Sequence, residues 1–185
     1  YIPVFDEEKF KGNLWLYRDI TKFIQNEEKL QFRLNFEKLL TDLSAEFISI
    51  EWENTDRELE KALGKLGRFI GAERAYIFLF SNDRKEYSNT HEWVRKGFHS
   101  QKEQSRNRPV SNIPWLMNKI SRQKNIYINN ILEVPSSASS ERKMLEARNI
   151  KSLIISPMVY QNEAIGFVGF ESTGRFAKWT DDIKK

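Results

Sequence analysis

The sequence contains no cysteine in 185 residues, which excludes disulfides, thiolate nucleophiles and cysteine-ligated metal sites. Histidine is also scarce: only His91 and His99 occur, and no Gly-x-Ser-x-Gly elbow accompanies them. Metal binding would depend on carboxylates, and neither an EF-hand nor a His-Glu-x-x-His spacing is present. The sequence therefore predicts no catalytic residue and no metal site, and we expect this segment not to be an enzyme.

Long apolar runs are missing as well. No stretch approaches the roughly 18 apolar residues that a membrane span needs. Residues 1–8 (YIPVFDEE) lack the basic and then apolar layout of a signal peptide. We expect a cytoplasmic segment that makes no membrane contact, even where its parent protein carries a membrane anchor elsewhere.

The charge is nearly balanced, with 30 Lys and Arg against 26 Asp and Glu and a formal charge of +4. The two signs are interspersed, as on a solvated surface, except for a basic stretch between Arg95 and Arg108. That stretch contains Glu103 and no ladder of aromatic residues, so we expect no nucleic-acid partner. The apolar fraction of 39% is sufficient for a folded core.

The first 50 residues predict a hairpin followed by a helix. Residues 2–5 and 14–17 are predicted strands, joined by a polar turn over residues 6–12. From Thr21 no Pro or Gly occurs before Gly64, which favours helix. Apolar residues spaced four, three, four and three apart form one stripe of this helix: Phe36, Leu40, Leu43, Phe47 and Ile50. The stripe has two interpretations, packing on its own domain or the seam of a parallel dimer.

A second helix is predicted from Thr55 to Gly71. Thr55 and Glu58 have the spacing of a capping box, and Gly71 stands where a left-handed residue ends a helix. Residues 75–80 are apolar on both alternating faces, which indicates a central strand covered on both sides. A strand over residues 87–94 is its predicted antiparallel neighbour, and a loop follows to residue 111.

The remaining chain predicts two connecting helices and three strands. One helix starts near Pro114, a short strand covers residues 125–131, and a second helix covers residues 135–148 and ends at Asn149. Residues 151–159 and 164–170 form a predicted hairpin, in which Gly166 and Gly169 indicate close backbone approach. A last helix is expected to start at Thr180.

These elements predict an α/β fold of the α+β type. It consists of a mostly antiparallel sheet of five to six strands with helices on both faces, preceded by a long connector helix. Four motifs in this order resemble a GAF domain, a fold related to that of PAS domains: residues 73–80 (ERAYIFLF), 88–93 (SNTHEW), 151–157 (KSLIISP) and 165–170 (IGFVGF). The resemblance covers residues 36–185, including a truncated last helix, and is to GAF domains of bacterial and archaeal multidomain sensors.

Residues 1–21 resemble the C-terminal hairpin of a PAS domain, whose last strand often ends in Asp-Ile-Thr, here Asp19 to Thr21. This resemblance leaves residues 22–35 as a signalling connector helix. Proteins with this domain order commonly continue into a histidine kinase or a diguanylate cyclase. The implied partners are a second copy of the chain, joined through its helices, and the upstream PAS and downstream output domains.

The resemblance implies a non-catalytic sensory domain in signal transduction, such as two-component signalling. It binds a small molecule or transmits a signal through a dimeric helix. A ligand-free structural dimerisation module is one alternative. A cyclic-nucleotide-binding GAF domain is another, supported by Asn118 and Lys119 but not by residues 176–181. Covalent bilin attachment in GAF domains uses a cysteine, so we expect no cofactor here and a small-molecule ligand of unknown identity.

GAF ligands usually lie in a cleft between the sheet and the helices and loop that cross it. By position, the residues expected to line this cleft are Trp93, Phe98, Trp115, Tyr127, Met144 and Met158, with His91 or Arg95 as polar contacts. The other interpretation is that the aromatic residues fill the core and that His91 is a hydrogen-bonded structural histidine.

Overall fold

A computed structural model of the chain describes residues 2–14, 17–174 and 176. By its internal contacts the chain divides into two compact units, Tyr1–Glu37 and Lys38–Lys185. The described helices include none that is both long and apolar enough to cross a membrane. The helix predicted at Thr180 lies outside the described residues.

The first unit contains a hairpin and most of a long helix. Strands β1 (Ile2–Asp6) and β2 (Lys9–Leu14) are antiparallel. The turn between them is Glu7 and Glu8, both with positive φ (48° and 65°), as in a two-residue hairpin turn that follows the strand twist. The predicted turn over residues 6–12 is therefore wrong, because strand pairing continues to Asp6 and Lys9. The strand predicted over residues 14–17 falls partly on Trp15 and Leu16, which lie outside the described residues.

Helix α1 (Thr21–Ile48) begins where the sequence predicts. The Thr21 amide donates a 2.9 Å hydrogen bond to the Asp19 carboxylate, and hydrogen bonds from Thr21 lower the pKa of Asp19. The helix ends before Ile50, so the predicted stripe of five residues is not wholly helical. In the second unit Leu43 is buried, whereas Leu40 and Phe47 are about 40% exposed, at 42% and 39%.

Helix α2 (Thr55–Ile70) follows a short 3-10 turn, Trp52–Asn54. The predicted capping box is wrong: Thr55 already has helical dihedral angles, whereas a capping residue needs an extended backbone. Glu58 instead forms an ion pair with Lys61 at 2.6 Å. The other end is as predicted, since Gly71 is left-handed (φ 76°) and the Ala72 amide donates to the Gly67 carbonyl at 2.8 Å.

The second unit is built on six antiparallel strands in the order β5-β4-β3-β8-β7-β6. Their bounds are Arg74–Phe80 (β3), Glu86–Val94 (β4), Arg108–Pro109 (β5), Ile126–Ile128 (β6), Ser152–Tyr160 (β7) and Glu163–Ser172 (β8). Helices α3 (Pro114–Ile120) and α4 (Ser139–Ala147) connect them. The predicted α+β fold with an antiparallel sheet of five to six strands is confirmed, with six strands present, and β3 is central and buried as predicted.

The sheet has two covered faces, because side chains alternate along each strand. On the first, which we call the cleft face, Tyr76, Phe78 and Phe167 lie in the main core. Helices α3 and α4 contribute to the same core. On the second, the α2 face, Ala75 and Ile77 pack with Leu63 of α2.

Two close approaches explain the predicted role of the glycines in β8. A Cβ atom at Gly166 would lie 2.1 Å from the carbonyl oxygen of Phe78, and one at Gly169 would lie 2.2 Å from the ring of Tyr76. Both distances are far inside van der Waals contact. Glycine is therefore needed where β8 passes against β3.

Candidate functional site

A cavity of about 350 Å³ opens between the cleft face, helix α4 and the segment of residues 101–108 that crosses the sheet. Its lining residues are Phe78, Tyr87, Gln101, Gln104, Ser105, Arg108, Met144, Ala147 and Arg148. Below it lies a narrow space of about 20 Å³ among the core side chains, enough for about one water. The volume of the main cavity is in the range of small-molecule sites, about 300–1,000 Å³. We call the main cavity, which is lined by Arg108 and Arg148, the arginine cleft.

One carboxylate holds the crossing segment against the sheet. Glu92 in β4 accepts hydrogen bonds from the Gln101 amide (3.1 Å), the Lys102 amide (3.2 Å) and the Ser100 hydroxyl. Hydrogen bonds from backbone amides to an ionised carboxylate are among the stronger ones in proteins. The roof of the arginine cleft is therefore anchored to the strand beneath it.

Arg108 is presented by the edge of the sheet. Its strand, β5, pairs with β4, and Arg108 is the register partner of Tyr87. The residue before it, Asn107, has a positive φ of 48°, and its amide donates to the Ser88 hydroxyl at 2.8 Å. This bond and the strand pairing fix the backbone from which Arg108 extends.

Arg148 approaches from the opposite wall, at the end of helix α4. The helix ends with Asn149 in the left-handed region (φ 55°) and with the Ile150 amide donating to the Leu145 carbonyl at 3.0 Å. The Nε–H of Arg148 donates to the Gln101 side-chain oxygen. This half-buried contact joins α4 to the crossing segment.

The charges of both arginines act on Tyr87, a cavity residue. Burial raises the pKa of the Tyr87 hydroxyl, the positive charges of Arg108 and Arg148 lower it, and the negative charge of the nearby Glu141 raises it. None of the described residues that line the cavity is acidic. The arginine cleft is therefore a site with two positive charges that is also lined by the aromatic rings of Phe78 and Tyr87 and the thioether of Met144.

A second buried carboxylate positions helix α3 beside the cleft. Glu141 is fully buried and accepts hydrogen bonds from the amides of Trp115 (2.6 Å) and Leu116 (3.4 Å). The Ser140 hydroxyl donates to its other oxygen at 2.7 Å. These bonds satisfy first-turn amides of α3, which have no partner within their own helix.

A buried ion pair lies at the end of β3 and β8. Arg74 and Glu171 are register partners, and their charged groups are in contact although both side chains are almost wholly inaccessible. Burial raises the pKa of Glu171, and the charge of Arg74 opposes this effect. Burial also raises the pKa of the neighbouring Tyr76.

The structure separates the eight residues that were expected to line one cleft. Met144 lines the arginine cleft. Trp93 and Met158 pack on the α2 face, and Tyr127 packs in a cluster with Ile154, Ile70 and Ala72. His91 is also directed to the α2 side, where its Nε2 lies 3.0 Å from the Asp56 carboxylate and its Nδ1 lies 2.9 Å from the Thr90 hydroxyl.

A β-bulge is the physical reason for the misplacement of His91 and Trp93. In β4, Asn89 is the partner of Phe78, but the next pair is His91 with Ile77, so Thr90 is an extra residue. An extra residue reverses the alternation of side chains beyond it. Tyr87 and Asn89 therefore belong to the cleft face, and His91 and Trp93 belong to the α2 face.

The other three expected residues, Arg95, Phe98 and Trp115, also lie outside the described lining of the cleft. The Arg95 amide donates to the Glu73 carbonyl at 2.8 Å. Phe98 is 39% exposed, and Trp115 packs at the margin of the core with the Lys119 ammonium 5.7 Å from its ring centroid. Arg148, which lines the cleft, is not among the residues that the sequence predicted for the site. Arg108 stands at the end of the basic stretch that the sequence did indicate.

The GAF domain family model matches residues 54–183, which is most of the chain. The chain belongs to the GAF family. No curated protein matches its sequence. The family therefore agrees with the fold.

Solved structures share this GAF fold at low sequence identity. The phycocyanobilin-bound GAF domain from a cyanobacterial phytochrome is 18% identical, covers 80% of this chain and 85% of its own, and gives a TM-score of 0.65. The phycoerythrobilin-bound GAF domain from a cyanobacterial phytochrome is 17% identical, with coverages of 80% and 86% and a TM-score of 0.66. The far-red absorbing dark state of a protein with bound biliverdin IXa is 14% identical, with coverages of 79% and 89% and a TM-score of 0.62.

The comparison corrects the prediction about cofactors. We expected no cofactor because covalent bilin attachment uses a cysteine. That prediction is wrong, because the similar solved GAF domains are bilin-bound. The missing cysteine excludes a thioether bond to the chain and does not exclude a bilin held by other contacts.

Proposed function

We propose that this chain is the sensory GAF domain of a signalling protein and that it acts by binding a small molecule in the arginine cleft. The observation that carries the proposal is the cavity of about 350 Å³ between the sheet, α4 and the crossing segment. Its floor is apolar and a few polar groups converge on it, which is the usual composition of a ligand site. Its described lining contains no nucleophile paired with a base, so we expect binding without catalysis.

Bilins are the first ligand class to test. Their ring system would contact Phe78 and Met144 on the floor, and their propionate carboxylates would bind the guanidinium groups of Arg108 and Arg148. A bilin bound in this way would supply light absorption. The residues of the chain would hold and orient it, and the crossing segment would shield it from water.

The same protein would transmit its signal through helix α1. Residues 1–21 are proposed as the end of a PAS domain, residues 22–35 as a connector, and residues 36–185 as the GAF domain. The apolar side chains of Leu40 and Phe47 are exposed, which favours a homodimer seam along this helix. A histidine kinase or diguanylate cyclase is the proposed output domain, and a ligand-free dimerisation module is the alternative.

The absence of cysteine allows a direct test of the dimer. Single Leu40→Cys and Phe47→Cys variants should form disulfide-linked dimers on mild oxidation. Lys38→Cys, on the opposite side of the same helix, should not. Equal crosslinking at all three positions, or none, would contradict a defined seam.

The binding proposal is tested on the purified full chain. Native mass spectrometry is expected to show a co-purified molecule or, after incubation with biliverdin, a complex of one ligand per chain. Cyclic AMP and cyclic GMP are added in parallel because a cyclic-nucleotide-binding GAF domain is the second alternative. A chain that carries no ligand and binds none of these probes would support the ligand-free module.

A further inference from the structure

Resting on the proposed function, we infer that the ligand of the arginine cleft is an organic anion. Its carboxylate or phosphate group binds Arg108 and Arg148 together and replaces Gln101 as the partner of Arg148.

The charge in the arginine cleft is unbalanced. Two guanidinium groups line it, and its described lining contains no carboxylate. Five other described arginines form ion pairs with carboxylates: Arg57, Arg74, Arg84, Arg106 and Arg142. No ion pair joins Arg108 or Arg148 to a described carboxylate. The charge of Arg148 also acts on the buried Glu171, but neither arginine that lines the cavity is ion-paired there, which favours an anionic ligand.

Arg148 has a neutral hydrogen-bond partner in the cleft. A guanidinium group has five N–H donors in a planar fork that matches an oxyanion. In this structure one of them, Nε–H, donates to the neutral amide oxygen of Gln101. A charged oxyanion binds a guanidinium more strongly than a neutral amide does. An anionic ligand would therefore displace Gln101.

Separate structural elements hold the backbone of the two arginines. Arg108 extends from the strand pair β4-β5, opposite Tyr87. Arg148 extends from the end of α4, which is closed by the hydrogen bond between Ile150 and Leu145. Because the backbone at both sites is fixed, binding of one anion has to order only the two arginine side chains.

The experiment compares anionic probes with neutral probes of the same shape. Biliverdin is paired with biliverdin dimethyl ester, which has no free carboxylate, and cyclic AMP is paired with adenosine. The first pair tests a carboxylate and the second tests a phosphate. Dissociation constants are measured by absorbance or calorimetry for the full chain and for four variants: Arg108→Gln, Arg148→Gln, Gln101→Ala and the control Arg122→Gln.

At least one anionic probe is expected to bind at least about tenfold more tightly than its neutral counterpart. Arg108→Gln and Arg148→Gln should each weaken that probe by about tenfold or more, because hydrogen bonds to charged groups are worth more than neutral ones. Arg122→Gln, on an exposed turn, should change nothing. Gln101→Ala should leave anion affinity unchanged or improve it, because it removes a competitor for Arg148.

Several outcomes would overturn the inference. Equal affinity for a probe and its neutral counterpart would leave the proposed function standing and remove the anion. Anion binding that survives both arginine variants would place the anion elsewhere. An Arg148→Lys variant keeps the positive charge and loses the planar guanidinium group. Weaker anion binding by this variant would therefore be due to the lost hydrogen-bond contacts and not to unfolding of the domain. Failure of every probe and of every co-purified ligand would overturn the proposed function itself.

Discussion

Replacing Gly67 by alanine should destabilise this domain, although alanine is the better helix former. Gly67 lies inside α2, where Gly→Ala normally stabilises a helix by about 1 kcal/mol. A Cβ atom there would lie 2.6 Å from Cζ3 and 2.8 Å from Cε3 of the Trp93 ring. Such distances require the ring or the helix to move.

The Trp93 ring has little room to move. It packs in the cluster of the α2 face, and the Arg68 guanidinium lies 5.5 Å from its centroid. Overpacking of this kind costs about 1–3 kcal/mol. The packing cost exceeds the helix gain, so Gly67→Ala should lower the free energy of unfolding by about 1 kcal/mol.

A double-mutant cycle tests the reasoning. In a Trp93→Leu background the ring is absent, and Gly67→Ala should then stabilise the domain by roughly the helix propensity, up to about 1 kcal/mol. The coupling energy between the two positions should be about 1–2 kcal/mol. Urea unfolding followed by far-UV circular dichroism measures all four proteins. If Gly67→Ala stabilises the chain with Trp93 present, the packing argument is refuted.

Two buried carboxylates supply the remaining predictions. Glu141→Ala should cost about 2–3 kcal/mol in urea unfolding, because it leaves the Trp115 amide without its acceptor, and Glu141→Gln should cost less. Arg74→Met and Glu171→Leu should each cost about 3–5 kcal/mol, and the double variant should cost less than either. Burial raises the pKa of Glu171 in the folded chain above its value in the unfolded chain. The protonated carboxyl therefore stabilises the fold at low pH, and this contribution should be lost as the pH rises through the folded-state pKa. Stability curves measured against pH should show that Glu171→Gln removes this loss.

The elements of the fold follow from local patterns, which is why the sequence predicts them. Residues 75–80 are apolar at every position, and the structure places them in the centre of the sheet. Gly71 marks the end of one helix and Pro114 the start of another, in the structure as in the prediction. Each of these features depends on neighbouring residues alone, through backbone dihedral angles and periodicity.

The lining of the cleft depends on distant residues, so the sequence does not reveal it. Arg148 lines the cavity together with Gln101, its hydrogen-bond partner, which is 47 residues earlier in the chain. Glu141 has no local sequence signature, since it accepts amides of another helix. The alternation of side chains along β4 is a local pattern, but the extra residue Thr90 interrupts it. No glycine or proline stands there to indicate a bulge in the sequence.

That extra residue has a consequence for any comparison of this chain with other GAF domains. Consider a related strand that lacks the extra residue. Beyond the position of Thr90, a residue with the same number, counted from the start of the strand, would point to the opposite side of the sheet. Aligning such a strand residue by residue would equate a ligand neighbour with a helix neighbour. One gap at Thr90 restores the correspondence, so functional residues should be transferred to β4 only after superposition of coordinates.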